Sequence, residues 1–383
     1  MNSMVAQVHS LPDLVRESTV KFDEIIRNTL THDLCLSMKR LFLTGCGDSH
    51  HAALTAELAL ESIAGMPTEP MTAMQFSHYG VAHMPDTGPG TNIVIGISVS
   101  GEVARTVEAL NLANIKGATT IGLTATPGSR VDTNSELTIF STIMPFPDPP
   151  GTHTPGVRSY AANQLALFLI AIRIGEIRGA ISMEKAAALR AELLGLADAA
   201  EATINNCDPL AQEIAQAWSD ADEFVFAGSG PNFGTALFSA AKVLEASGDP
   251  ALGQDLEEWA HLQYFARKVH TPTFLINTGA RDVPRALEVV GAARAIGRRI
   301  VVIAPQGRES LMDKADYSLA LGNGVRETFS PLIAAIPGEL FAAYRADVIG
   351  EPFFRNFGGG RSIEGGGGVS SIRESLMLED IPE

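Results

Sequence analysis

Short runs of consecutive apolar residues, each closed by glycine or a hydroxyl residue, alternate along this chain with longer stretches of helical periodicity. Arg40-Leu41-Phe42-Leu43-Thr44 runs into the Gly-x-Gly turn Gly45-Cys46-Gly47, and an Ala/Leu-rich helical pattern follows over residues 51–63. A second run covers residues 92–97 with a helical stretch at 104–112, and a third covers 119–124. The same order returns later. Residues 223–230 form a strand closed by Gly228-Ser229-Gly230, residues 234–245 are helical, and apolar runs follow at 272–276 and 299–304. Apolar runs alternating with helical segments predict buried parallel strands joined by right-handed crossovers. Each half is therefore read as α/β, a mostly parallel sheet flanked by helices in a three-layer, flavodoxin-like αβα arrangement. A repeat of this length is a duplicated domain, not a solenoid.

The remaining segments fit around these halves. Residues 14–30 have the spacing of an amphipathic helix, 145–155 are Pro-rich, and 161–178 and 183–206 read as Ala/Leu-rich helices bridging the halves. Regular periodicity stops at Gly350, and Gly358-Gly359-Gly360-Arg361 and residues 365–368 cannot hold a stable helix. The expected division is an N-terminal helix (1–30), a first domain (31–195), a second domain (196–345) and a Gly-rich tail (346–383).

Composition narrows the class. A chain of 383 residues can bury two cores. Its formal charge of −16, with no Lys/Arg-rich run, argues against nucleic acid as a partner. Cys35, Cys46 and Cys207 are odd in number and scattered, which points to a reducing cytoplasm and no disulfide framework. No signal-peptide pattern is visible at the N-terminus, and no apolar stretch reaches transmembrane length without charge or glycine, so no membrane partner is expected.

The candidate chemistry starts at Ser98-Val99-Ser100-Gly101-Glu102, between a strand and a helix. Backbone N–H groups and a helix dipole favour an anion at such a turn, and two hydroxyls can add donors. The alternative is that Ser98 or Ser100 merely caps the helix starting near Glu102. Aligning Arg105 with Arg285 sets Ser98 and Ser100 opposite Thr278 and Ala280, and Gly101 opposite Arg281. The scaffold is thus present twice and the phosphate loop once. Asp48 and Ser49 are divided between substrate contact and capping a helix from His50. His50-His51 lacks a His-Glu-x-x-His pattern, so no metal is expected, and Gly45-x-Gly47 lacks the third glycine of a dinucleotide fingerprint. Trp259 and Tyr264 read as packing residues.

Over residues 30–365 the chain resembles the sugar isomerase (SIS) domain family, in particular double-domain members such as the isomerase half of glucosamine-6-phosphate synthase and the fructosamine-6-phosphate deglycases. Gly45-Cys46-Gly47-Asp48-Ser49 is similar to the family's first Gly-x-Gly turn. Ser98-Val99-Ser100-Gly101-Glu102, with Val103 behind it, is similar to its phosphate loop. Gly156-Val157-Arg158-Ser159 resembles a loop that contacts the sugar, which implicates Val157 and Ser159. The resemblance puts a glutamate base at Glu245 and a ring-opening histidine at His261. The Gly-Pro that usually follows that histidine is missing. Arg361 falls near the place of the synthase's Schiff-base lysine, a role an arginine cannot fill at neutral pH. Val99 and Val103 replace polar side chains of the synthase, and its glutaminase domain is absent, so a catabolic isomerase or deglycase fits better.

Such a reaction moves a proton between C1 and C2 of an open-chain sugar phosphate. It needs a carboxylate base partly shielded from water, for which Glu245 is the candidate, and a proton shuttle at the ring oxygen, for which His261 is the candidate. The phosphate supplies binding energy remote from the reacting carbons. The resemblance implies no cofactor and a homodimer in which His261 and the tail can reach the neighbouring chain's site. A phosphosugar-binding sensor or a partner-binding protein without catalysis is the alternative. The segment before Lys39 is too short and too weakly basic for the DNA-binding module such sensors carry.

Overall fold

The computed structural model describes residues 2–151, 153–362, 364–365 and 374–381. The chain divides into two compact units. One comprises Val15–Pro145, Ser159–Leu194 and Phe357–Glu383; the other comprises Met1–Leu14, Phe146–Arg158 and Gly195–Asn356.

The first unit holds five strands, β1 (Arg40–Gly45), β2 (Thr68–Thr72), β3 (Asn92–Ile97), β4 (Thr119–Thr124) and β5 (Leu137–Phe140). They form a parallel sheet in the order β2-β1-β3-β4-β5. The second unit holds β6 (Phe224–Gly228), β7 (Ala251–Asp255), β8 (Thr273–Ile276), β9 (Ile300–Pro305) and β10 (Tyr317–Leu321), parallel in the order β7-β6-β8-β9-β10. Replacing each strand by its counterpart gives one order for both sheets, so the duplication read from the sequence is a duplication of topology. Every residue of β3 and β6 is buried. Parallel strands covered by helices on both faces require such unbroken apolar runs.

Helices Asp48–Ser62 and Ala104–Ile115 follow β1 and β3, and Pro231–Ala246 and Val283–Ala295 follow β6 and β8. Helix Arg158–Arg178 is long and apolar enough to cross a membrane, and 83% of its most apolar window is buried inside the protein. Its Gly175 lets the Ile63 carbonyl approach where any Cβ would collide with it.

Several boundaries differ from the sequence expectations. The N-terminal helix spans Leu11–Thr29, and a separate helix, Ser3–His9, precedes it. Asn2 Nδ2 donates to the Ala343 carbonyl at 3.2 Å and to Asp347 at 2.8 Å, which ties that first helix to Ile336–Ile349 of the second unit. The bridging helix does not stop at 206 but runs Met183–Ala217, through Pro209. Proline removes one intrahelical hydrogen bond. Tertiary contacts hold this stretch helical: Asn206 Nδ2 donates to the Ala320 carbonyl at 3.2 Å, and the Thr203 hydroxyl accepts from Gly322 N–H at 2.8 Å. Residues 366–368 of the Gly-rich tail lie outside the described residues. Beyond them, Leu378 and Ile381 pack on the core around Phe42, Phe76 and Val94.

Candidate functional site

In the first sheet, chain order reverses between β1 and β3, which are paired with Gly45 beside Ile97. The loops leaving their carboxyl ends are therefore neighbours at a topological switch point, the place where open α/β sheets bind ligands. Both glycines of the first loop have a physical reason. A Cβ on Gly45 would lie 2.8 Å from Ser49 Cβ and 3.0 Å from the Ile97 carbonyl oxygen, so its absence lets the helix start close against the sheet. Gly47 has φ 55° and ψ −126°, a conformation glycine adopts at little cost. The helix starts at Asp48, earlier than His50, so Asp48 and Ser49 lie inside its first turn and neither caps it. Ser49 is buried, Asp48 is half-buried, and His51 Nδ1 stands 3.9 Å from Asp48 Oδ1. Burial holds the His50 imidazole below its ordinary pKa. Cys46 lies at the surface, yet its thiol is enclosed beside the Thr106 hydroxyl and the Ala73 N–H, and burial raises its pKa. The loop thus gains no thiolate to oppose an anion.

The second loop is drawn inward by its carbonyl groups. The Val99 carbonyl accepts from Ala125 N–H (3.1 Å), Thr124 Oγ1 (3.2 Å) and Thr126 Oγ1 (3.1 Å). The Gly101 carbonyl accepts from Val131 N–H at 2.9 Å. The serine hydroxyls brace the turn: Ser98 Oγ accepts from Gly101 N–H at 3.2 Å and Ser100 Oγ from Glu102 N–H at 3.3 Å. The helix begins only at Ala104, with Val103 as a cap that offers no side-chain hydrogen bond. The capping alternative for Ser98 and Ser100 is therefore not what the structure contains. Among the described residues the N–H groups of Ser100, Val103 and Ala104 have no hydrogen-bond partner. Carbonyls tied back and amides left over at a helix start are the donor arrangement that suits an anion. Gly101 permits it, with φ +67° and a missing Cβ that would overlap the Ser129 side chain. Glu102 is held by Arg130, whose backbone N–H donates to it at 3.2 Å.

The corresponding point of the second sheet is built alike and closed. Gly228 pairs with Ile276, and Gly230 has φ 53° and ψ −128°, nearly the values of Gly47. Here, however, the side chains are consumed among themselves. Thr278 Oγ1 accepts from Asn232 Nδ2 at 2.7 Å and meets Ser330 Oγ at 2.7 Å, and Asn277 Nδ2 donates to Asp282 at 2.8 Å. The Glu327 carboxylate fills the space beside Gly279 and stands 3.5 Å from Arg281 Nε. An acid at this position disfavours an anion in the second loop.

Glu245 lies in the last turn of Pro231–Ala246, with 30% of its side chain exposed. Lys242, one turn earlier, is fully buried, and its Nζ is 2.5 Å from Glu245 Oε2 and 4.9 Å from the Phe238 ring centroid. Lys242 is the residue that reasoning from sequence missed. The signal was present: Lys242 and Glu245 are the only charged residues of this helix, and a spacing of i, i+3 puts them on one face. His261 ends a short helix, Leu256–His261. Its imidazole is 67% exposed and stands 3.2 Å from Glu257. Arg285 grips the same Glu257 with two nitrogens, at 2.6 Å and 2.7 Å. Trp259 is fully buried as expected. Tyr264 is instead 40% exposed, its ring edge-on to the exposed Phe265, a correction to its reading as a packing residue.

Arg361 is exposed and donates to the Gly358 carbonyl at 3.0 Å, closing its own glycine turn. Val157, the expected ligand contact of its loop, is fully buried. Ser159 is half-buried in the first turn of Arg158–Arg178, and Val99 and Val103 are half-buried. The structure thus gathers Gly45, Cys46, Gly47, Asp48, Ser49 and the loop from Ser98 to Val103 in one unit, while Glu245, Lys242 and His261 belong to the other.

Comparison with known proteins fits this anatomy. Residues 36–172 match the SIS domain family. A glutamine–fructose-6-phosphate aminotransferase (isomerizing) of Gloeobacter violaceus is 26% identical over 357 residues, which is 90% of this chain and 55% of that protein. The chain spans about half the length of the curated relatives it matches. Among solved structures, the C-terminal domain of glucosamine-fructose-6-phosphate aminotransferase from Francisella tularensis superposes with a TM-score of 0.76 at 18% identity, covering 91% of this chain and 96% of that one. Tagatose-6-phosphate ketose/aldose isomerase from Escherichia coli does so with a TM-score of 0.72 at 15% identity, covering 92% and 95%. At such identities these superpositions establish the shared two-sheet fold.

Proposed function

Since residues 36–172 are a SIS domain, we propose that the chain is a phosphosugar-converting enzyme that moves a proton between C1 and C2 of an open-chain sugar phosphate, as an aldose–ketose isomerase or a fructosamine-6-phosphate-type deglycase. The observation that carries this reading is the single open anion cradle at Ser98–Val103, set against its acid-filled twin at Glu327. One phosphate anchor per chain suits a monophosphate. The relatives' names, an isomerizing aminotransferase and a ketose/aldose isomerase, support the same chemistry.

In this reading the sugar phosphate's anionic end is taken by the N–H groups of Ser100, Val103 and Ala104 and by the two serine hydroxyls. The Glu245 carboxylate removes the proton from one carbon, leaving an enediol, and returns it to the adjacent carbon. Lys242 holds that carboxylate by an ion pair at 2.5 Å, and a cation there stabilises negative charge that develops on the substrate oxygens. In the deglycase variant the same proton transfer yields an imine, and water then releases the amine.

A panel of hexose 6-phosphates and fructosamine 6-phosphates, incubated in deuterated water, tests the proposal. Deuterium at C1 or C2 of a panel member is the expected result, with amine release marking the deglycase. Glu245→Gln should keep ligand-induced thermal stabilisation and lose exchange. Normal turnover in that variant excludes Glu245 as the base, and ligand binding without exchange in the wild type favours a sensor.

A further inference from the structure

The chain leaves its last long helix, Ile336–Ile349, through an unusual turn. Phe354, Arg355, Asn356 and Phe357 have φ values of 52°, 55°, 48° and 54°. Four successive residues other than glycine thus form one turn of left-handed helix, which crowds each Cβ against the following carbonyl oxygen. A conformation of this kind persists only where surrounding contacts compensate for it, and its presence points toward a task.

The compensation falls on one side chain. Arg355 Nη1 donates to the Leu244 carbonyl at 3.2 Å, and Arg355 Nη2 donates to the carbonyls of Glu245 at 2.6 Å and Ala246 at 2.9 Å. These are the terminal carbonyls of Pro231–Ala246, which have no partner further along the helix. A guanidinium also places positive charge at the negative end of the helix dipole. The fit is close: a Cβ on Gly248, at φ +77°, would overlap the Arg355 guanidinium. Within the same segment, Arg345 Nε binds Asp249 at 2.8 Å, and Asp249 accepts from the Ser247 hydroxyl at 2.8 Å. The stretch from Leu244 to Asp249 is therefore pinned at both ends, and Glu245 lies within it.

We propose that Arg355 is a positioning residue for Glu245: the left-handed turn is kept because it delivers a guanidinium to three consecutive carbonyls, which fixes the last helical turn and hence the direction in which the Glu245 carboxylate is presented. The proposal rests on the reading of Glu245 as the base. It assigns Arg355 no contact with substrate. It also links the base to the tail, because the chain runs directly from this turn into Gly358-Gly359-Gly360-Arg361.

The test uses the full chain with Arg355→Ala and Arg355→Lys. Two quantities are read: hydrogen exchange of the Ser247 and Gly248 amides, both of which donate to the Val243 carbonyl, and kcat and KM on the best panel sugar phosphate. Arg355→Ala should exchange those amides at least tenfold faster and lose at least tenfold in kcat with KM within about twofold. Added methylguanidinium should restore part of kcat, which a general loss of structure does not allow. Arg355→Lys, which keeps the charge without the fork, should fall between the two and serves alone if the alanine variant does not fold. Unchanged amide exchange, or faster exchange with unchanged kcat, overturns the proposal. The Glu245→Gln variant separates the two failures. Normal turnover in it removes the base and with it the premise, whereas lost turnover there with normal kcat in Arg355→Ala removes the positioning role alone.

Discussion

Replacing Gly101 by alanine should dismantle the proposed anion cradle, and the size of the effect can be worked out from two separable terms. The first is conformational. Gly101 sits at φ +67°, and an L side chain in the left-handed region costs roughly 1–2 kcal/mol. The second is steric. The new methyl would overlap the Ser129 side chain and approach Thr124 Oγ1 to 3.0 Å. Ser129 is buried and cannot swing aside into solvent. Overpacking at a closed site costs about 1–3 kcal/mol, so the sum is roughly 2–5 kcal/mol if the loop stays in place.

The neighbouring Gly128 supplies the control. It has φ +75°, and a methyl added there would meet nothing within 4 Å, so Gly128→Ala carries the conformational term alone, roughly 1–2 kcal/mol. Chemical denaturation of both variants gives the steric term by difference, and binding is read by thermal shift with inorganic phosphate and a sugar phosphate. Gly101→Ala should weaken phosphate binding at least tenfold, which corresponds to about 1.4 kcal/mol, while Gly128→Ala should leave it within about twofold. Adding Ser129→Gly to Gly101→Ala removes the obstacle and should recover most of the difference. If Gly101→Ala matches Gly128→Ala in stability and still binds phosphate as the wild type does, the reasoning from the loop's geometry is wrong.

Two further outcomes follow from buried ionisable groups. His50 has a folded pKa held below its unfolded value of about 6.5 by burial, so the unfolded chain binds its proton first; the stability this contributes is present above that value and lost as pH falls through the folded pKa. Urea midpoints at pH 7.5 and 5.5 should drop more for the wild type than for His50→Gln, and equal drops would remove His50 as the cause. Glu108 is fully buried and meets Ser77 (2.7 Å), His78 (3.0 Å), Arg105 (2.6 Å) and the Leu378 N–H (2.6 Å). Glu108→Ala leaves Arg105 without that carboxylate and should cost about 3–5 kcal/mol by denaturant titration, with faster amide exchange at Leu378; a loss below about 1 kcal/mol contradicts the packing described.

What the sequence disclosed tracks how each segment is buried. β1, β3 and β4 and their counterparts β6, β8 and β9 are enclosed on both faces, so they stand out as unbroken apolar runs. β2 and β7 are sheet-edge strands with mixed burial, and Thr68–Thr72 and Ala251–Asp255 consequently show no apolar run to read. The Gly-x-Gly turns and the Ser98 loop were legible because their residue types answer backbone demands that are local. The tie-back of the Val99 and Gly101 carbonyls was not, since its donors come from residues 124–131. Nor was the helix through Pro209, which depends on Ala320 and Gly322 far along the chain.

The two copies have diverged in opposite directions, and the geometry they still share makes the comparison position by position. Gly47 and Gly230 have the same backbone conformation at the start of equivalent helices. Counting from them, Glu245 corresponds to Ser62 and Lys242 to Ala59, so the first copy lacks the buried ion pair. In the other direction, strand pairing sets Ser98, Ser100 and Gly101 opposite Asn277, Gly279 and Ala280, one residue earlier than the alignment of Arg105 with Arg285 gave, and Glu327 fills the second loop. An anion cradle and a carboxylate base are hard to combine on one small scaffold, because each charge opposes what the other must hold. Coulomb repulsion between like charges 4 Å apart is about 4 kcal/mol at an effective dielectric of 20. In the proposed function the two roles fall on different copies, which avoids that conflict. The acid at Glu327 closes the second loop and stands 3.5 Å from Arg281 Nε. Reopening that loop by Glu327 substitution would therefore not create a second phosphate site, since Thr278 and Asn277 would remain bonded to Asn232, Ser330 and Asp282.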